Sequence, residues 1–387
     1  MKNQNMLHQN LRKLVSFSFI SFCFCLGLGI GLFIRFGQLQ RTNASTTSTE
    51  TEPIPFSIPE YTSPDTITIQ AVGDVIPGTN YPNYKLPRNR NLLFPNSVRA
   101  YLQRSDILFG NFESSLTNYP YSTKDITQGA VFAFRSPPTY AQLLADVGFD
   151  VMNIANNHAL DFGSVGFKDT VKNLKAAGIE TLGHKNQILL LEVNNIVVGM
   201  IGFAPYESYN SILDLEAAKA LVQKAKTQAS VVIVSMHAGA EGTDALRVHN
   251  KTEFFYGENR GNSIEFARTM IDAGADLVIG HGPHVPRAIE IYNGKLIAYS
   301  LGNFLGYRTL STTAETGYSM ILEVKLNSKG DLVFGKIIPV HLDAQGIPHI
   351  DQHFRTVGLL RYLNNKDFPD DLVKINKKGE IVLADKK

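Results

Sequence analysis

The chain has 387 residues, 44% of them hydrophobic, and its 37 Lys and Arg against 35 Asp and Glu leave a net charge of +2. That balance provides no basic field for nucleic acid, and the length suits one large α/β domain or two ordinary ones. The only cysteines, Cys23 and Cys25, lie inside the most apolar segment, which excludes a disulfide framework and a cysteine-ligated metal in the rest of the chain.

Residues 1–13 end in Arg12 and Lys13 and lead into LVSFSFISFCFCLGLGIGLFI, residues 14–34, which carry no charge. This run is long enough to cross a bilayer. It exceeds the apolar region of a cleaved secretory signal, about 7–15 residues, and shows no small-residue cleavage site. An uncleaved signal anchor is expected: a single transmembrane helix, with the N-terminus cytoplasmic and the main domain extracytoplasmic. Lys2, Arg12 and Lys13 precede it and Arg35 and Arg41 lie beyond it, so the positive-inside argument is favourable but thin. Residues 35–65 are poor in aliphatics and rich in Thr, Ser and Pro, and read as a flexible tether. A folded domain is expected over residues 66–350, followed by a C-terminal extension, 351–387, that carries no motif.

From Thr66 the chain repeats one pattern, a short apolar run that breaks into polar residues. TITIQAVGD ends at Asp74, DILFGNFE at Asn111 and Glu113, and FDVMNIANNHALDFG runs into Asn157, His158 and Asp161. SVVIVSMHAGAE then reaches His237 and Glu241, and DLVIGHGPH reaches His281 and His284. Apolar runs of four to eight residues ending at Gly or Pro read as buried strands, and ligands gather at the carboxyl ends of strands in open α/β sheets. Between them, SPPTYAQLLADVG, DTVKNLKAAG and SIEFARTMIDAG have helical spacing and stop at Gly148, Gly178 and Gly274. Alternating strands and helices predict βαβ units. Further on, IAYSLGNF, SMILEVKL, DLVFGKIIPVHL, VKI and EIVL read as antiparallel strands. Two sheets packed together with helices outside are expected, with the polar residues clustered at one end. No P-loop and no serine nucleophile elbow is present.

Imidazole mixed with carboxylate and amide oxygens suits a borderline divalent ion, Mn, Fe or Zn, better than Ca or Mg. One or two such ions are expected, because paired ions suit in-line displacement at phosphorus. The order Asp, acidic loop, Asn-His, lone His, Gly-His-x-x-His resembles the calcineurin-like metallophosphoesterases, with the last two histidines one residue further apart than usual. AVGDVIPG, GNFESSL, NIANNHALDFG, SMHAGAEG, GADLVIGHGPHV and IAYSLGNF, in that order across residues 66 to about 306, resemble the bacterial CapA family of capsule or poly-γ-glutamate biosynthesis proteins.

The resemblance implies a metallophosphoesterase-like four-layer α-β-β-α sandwich behind one N-terminal transmembrane helix. It implies Asp74, Glu113, Asn157, His237, His281 and His284 as metal ligands, with His158 as the general acid or oxyanion contact, oriented by Asp161. Val75 and Ile76 come directly after Asp74, so the superfamily's Asp-x-His histidine is missing. Arg135 and Arg260 are candidates for binding an anionic substrate, and Glu241 for support of the site. Asn153, Asn156 and Asn303 read as turn formers. Three readings stay open. The chain takes part in synthesis, transfer or release of an anionic capsular polymer beside other membrane subunits, hydrolyses a small or lipid-linked phosphate, or serves as a non-catalytic polymer-binding subunit.

Overall fold

The computed structural model describes residues 66–383 other than 128, 130 and 372. The expected anchor at 14–34 and tether at 35–65 lie outside the described residues. No helix within those residues is long and apolar enough to cross a membrane.

The fold is mixed α/β. In the first sheet four strands run parallel side by side: β1 (Thr66–Ile76), β2 (Ile107–Phe112), β3 (Val151–Asn153) and β4 (Glu180–Leu182). The second sheet is led by β5 (Leu189–Val193), antiparallel to β6 (Ile196–Ala204). The strands β7 (Val231–His237) and β8 (Leu277–His281) run parallel to β6, and β9 (Ile289–Tyr292) closes the edge against β10 (Lys295–Ala298).

The central strands of both sheets are buried on both faces, which explains their near-continuous apolar runs. Ile69, Phe109 and Leu322 of the first sheet meet Met200, Ile233 and Ile279 of the second in one shared core. The outer face of the first sheet is covered by α1 (Asn96–Leu102), α2 (Tyr140–Val147) and α3 (Gly163–Ala176), through Val98, Leu144 and Leu174 against Val72, Leu108 and Met152. Val222 of α4 (Leu215–Lys226) and Phe266 and Met270 of α5 (Ser263–Asp272) cover Val232, Val234 and Val278 on the other side. The helix α4, which the glycine-terminated patterns do not announce, starts where Asp214 accepts the Ala217 N–H at 3.1 Å.

One expectation fails locally. IAYSLGNF is not a single antiparallel strand. Its first half is β10, parallel to β8 in the second sheet, and its second half is β11 (Asn303–Gly306), parallel to β1 in the first. The chain crosses between sheets at Gly302, with φ of 73°. A Cβ on Gly73 would stand 1.8 Å from the Gly302 carbonyl oxygen, so side chains are barred from this crossing.

The expected antiparallel hairpin does form, from β12 (Tyr318–Asn327) and β13 (Leu332–Leu342). The region after Ile350 supplies α6 (Arg355–Asp367), whose Val357 and Leu360 enter the shared core, then β14 (Val373–Ile375) and β15 (Glu380–Leu383), which extend the first sheet beyond β13.

Candidate metal centre

Parallel register brings the polar strand ends together. Asp74 stands opposite Asn111 of β2 and Asn303 of β11, and His237 stands opposite His281. The side chain of Asn111 donates to Asp74 Oδ1 at 2.8 Å and accepts from Asn153 at 2.9 Å and Asn156 at 3.0 Å. Asn153 and Asn156, read from the sequence as turn formers, thus also hold the residue that holds Asp74. Glu113 comes just after β2, tied through its backbone N–H to the Val75 carbonyl at 3.1 Å.

The loop between the last two histidines explains the Gly-Pro. Gly282 has φ of 110°, and a Cβ there would stand 3.2 Å from His237 Nε2. His284 is itself left-handed, with φ of 59°, a conformation that costs a non-glycine residue about 1–3 kcal/mol and persists where the surroundings impose it. The result is that Asp74, Glu113 and His284 place one ligand atom each within 4.8 Å of one another.

Hydrogen bonds decide which nitrogen each ring presents. The backbone carbonyl of Val72, 3.1 Å from His281 Nε2, only accepts, so Nε2 carries the proton and Nδ1 keeps its lone pair. His284 Nδ1 faces Asn303 Oδ1 at 2.9 Å and Asp74 Oδ2 at 3.0 Å. The Asn303 amide nitrogen is spent on the Thr316 carbonyl at 3.1 Å, so its oxygen accepts from His284, which leaves Nε2 facing Glu241 at 3.6 Å and Glu113 at 3.8 Å. Asn303 is thus a partner to a candidate ligand, a role its reading as a turn former misses.

The charges here oppose one another. Burial raises the Glu113 carboxyl well above the ordinary range, against the pull of His284 and with help from Asp74 and Glu241. Burial works the same way on Asp74, but His284, His281 and His237 outweigh it and the carboxyl falls below its ordinary value. Burial drives His237 well below the usual imidazole value and also lowers His281. On His284 burial is outweighed by Glu113, Asp74 and Glu241, which raise it well above that value.

Whether these residues fit a cation is tested by what they lack. Both Glu113 oxygens, Asn157 Oδ1, both His237 nitrogens and His281 Nδ1 are buried without a hydrogen-bond partner, and Asp74 Oδ2 has only the shared His284 ring at 3.0 Å. Each such orphan costs about 1–3 kcal/mol; side chains elsewhere, Gln70, Tyr209, Ser235 and His341 among them, also carry one. Asp74, Glu113 and His284 are close enough to share an ion, and imidazole with carboxylate oxygens suits a divalent one.

Beside them His158 Nδ1 lies 2.8 Å from Asp161 Oδ2. That oxygen also accepts the Phe134 N–H at 2.7 Å. Lys124 joins from a distant loop, with its ammonium 2.7 Å from Asp161 Oδ1, 3.0 Å from the Asn157 carbonyl and 3.2 Å from His158 Nδ1. Since the ammonium is satisfied by two oxygens, the His158 ring donates Nδ1–H to Asp161 and turns Nε2 outward. Burial lowers the His158 pKa in spite of Asp161. Lys124 has no signal in the sequence beyond a basic residue in a polar loop.

Asn157, His158, Lys124, Glu241 and Arg260 line an open cavity of about 910 Å³. Arg260 is buried, 3.0 Å from Glu241 and 3.1 Å from Glu258. Arg135, a candidate for binding an anionic substrate, is not among the residues that line this cavity. Its guanidinium donates to Asn80 Oδ1 at 2.7 Å and the Tyr119 carbonyl at 2.8 Å, and stacks over Tyr81 and Phe162. Ile76, where the Asp-x-His pattern would have its histidine, is fully buried and apolar.

Among solved structures, the 5'-nucleotidase precursor from Thermus thermophilus aligns at 13% identity over 78% of this chain and 59% of its own, with a TM-score of 0.42. The NAD nucleotidase (NadN) of Haemophilus influenzae aligns at 13% over 76% and 61%, with a TM-score of 0.39. In sequence the chain is similar to the PGA biosynthesis protein CapA of Bacillus subtilis, at 30% identity over 263 residues, 63% of this chain and 64% of that protein's length. The capsule biosynthesis protein CapA of Bacillus anthracis is 27% identical over 309 residues, 73% of this chain and 69% of that protein. The bacterial capsule synthesis protein model PGA_cap matches residues 68–308, an interval that contains every strand end described above. This chain belongs to the bacterial capsule synthesis protein (PGA_cap) family.

Proposed function

We propose that this chain is a membrane-anchored, extracytoplasmic protein that acts in synthesis, transfer or release of an anionic capsular polymer through a divalent-metal, hydrolase-like site. The observation that carries the metal is the meeting of Asp74, Glu113 and His284 ligand atoms within 4.8 Å of one another, with buried unpaired atoms on Glu113, Asn157, His237 and His281 beside it. The polymer rests on family membership. The anchor rests on the uncharged run at 14–34.

In this reading those six residues hold the ion, with one ligand fewer than the superfamily because Ile76 stands where the Asp-x-His pattern would have its histidine. When bound, a divalent ion lowers the pKa of a water and stabilises negative charge on a phosphoryl or carboxyl oxygen. The remaining work falls to the protein. His158 lines the cavity and, in its imidazolium form, would deliver a proton to the leaving group from Nε2; Asp161 holds the ring from behind and stabilises that charged form, and Lys124 fixes the Asn157 and His158 segment. Asn111 and Asn303 keep Asp74 and His284 in place.

A second reading, hydrolysis of a small or lipid-linked phosphate without a role in polymer, is favoured by the His158–Asp161 pair at the cavity. Polymer yield separates the two. Cells deleted for this chain lose polymer and regain it with the parent but not with Asp74→Ala. Unchanged polymer after deletion removes the capsule role, and full rescue by Asp74→Ala removes the metal from it.

A further inference from the structure

The charged groups that line the cavity are already spoken for. The Lys124 ammonium is held by Asp161 and the Asn157 carbonyl, and Arg260, 4% exposed, lies between Glu241 and Glu258. Glu241, Glu258 and Asp125 also line the space, so away from the metal ligands carboxylates outnumber cations. A chain with a carboxylate on every residue meets repulsion there once its first anion is seated.

The rest of the lining is aromatic and open. Phe132 is 59% exposed and stacks on Phe134 with ring planes 6° apart. Phe134 lies against the His158 ring, centroids 4.5 Å apart, so the aromatic surface reaches the residue that faces the reacting group. Tyr256, 79% exposed, and Phe255 form a second aromatic pair at 4.5 Å. Exposed rings gathered in a concave surface mark a binding site for an apolar group.

Resting on the metal reading above, we infer that the cavity takes a single phosphoryl anion flanked by a flat or apolar uncharged group, and does not take the interior of a polyanionic chain. Soluble aryl phosphates and lipid-linked phosphates share this chemistry.

Equilibrium binding to the purified full-length chain, with and without Mn, tests the inference without turnover. The probes are methylphosphonate, phenylphosphonate, decylphosphonate, glutamate and a γ-linked glutamate decamer. Phenylphosphonate is expected to bind roughly tenfold tighter than methylphosphonate, with most of that ratio lost in Phe132→Ala and in Tyr256→Ala. The decamer is expected to bind no tighter than glutamate. Preference for decyl over phenyl identifies a lipid-linked source, and the reverse order a soluble aromatic one; both support the class. Equal binding of methyl- and phenylphosphonate, a ratio unmoved by both variants, or a decamer bound more than about tenfold tighter than glutamate overturns it. Phosphonate affinities that ignore Mn while the phenyl preference persists would remove the metal reading and leave this one standing.

Discussion

Buried charge is treated in two ways in this molecule. Away from the strand ends it is answered in full. Asp276, 3% exposed, accepts from Lys226 at 2.6 Å, Lys295 at 2.9 Å and the Val232 N–H at 2.9 Å. Arg287, wholly buried, is clasped by Glu253 and two backbone carbonyls. At the strand ends, Glu113 and His237 are as deeply buried and their side chains have no hydrogen-bond partner. Among the described residues, the fold thus neutralises buried charge at Asp276 and Arg287 and leaves Glu113 and His237 without hydrogen-bond partners. Completed networks fix structure, and an incomplete one marks where a ligand enters.

Breaking a completed network gives the largest effect on folding. Asp276→Ala removes an acceptor from two lysines, which keep the Ser230 and Gly330 carbonyls, leaves the buried Val232 N–H unpaired, and is expected to lower stability by about 1–3 kcal/mol in urea unfolding. Glu113→Gln, at equal depth, should move the metal-free midpoint by less than about 1 kcal/mol while removing metal binding, because no internal partner is lost. Equal destabilisation by the two would erase the distinction.

Turnover sharpens the comparison from the other side. His158→Asn keeps every proposed ligand and is expected to retain metal while losing about 10²- to 10⁴-fold in hydrolysis of a phosphodiester. Metal content and initial rates measured together decide this, and an undiminished rate takes His158 out of the mechanism.

A modest, pH-dependent effect lies at the start of α6. Asp351 accepts the N–H groups of His353 at 3.0 Å and Arg355 at 2.9 Å, and pairs with the Arg355 side chain. Burial raises its pKa, but the Arg355 and backbone hydrogen bonds prevail, so the folded value lies below the unfolded one. Its contribution is full above the unfolded pKa and fades as pH falls through the folded value. Asp351→Asn should cost about 1 kcal/mol at neutral pH and less in acid, read from unfolding midpoints across pH.

Much of this is legible in the sequence because buried strands announce themselves as apolar runs, and the residues just past the last apolar one lie at the sheet edge. Asp74, Glu113, His237 and His281 are found that way. Lys124 escapes because its partners are more than thirty residues away and its loop has no periodicity. Asn303 reads as a turn former because SLGNF looks like a turn, and the sheet crossing at Gly302 is set by how two glycine backbones meet. The neutral partners of Arg135, Asn80 and the Tyr119 carbonyl, leave no trace beside it in the sequence.

The central claim is tested most directly by transition-metal content per chain, from elemental analysis of the purified protein beside His281→Ala. One or two equivalents of Mn, Fe or Zn in the parent, lost in the variant, is the predicted result. A parent that holds no metal after reconstitution, or a variant that keeps the parent's full content, contradicts it.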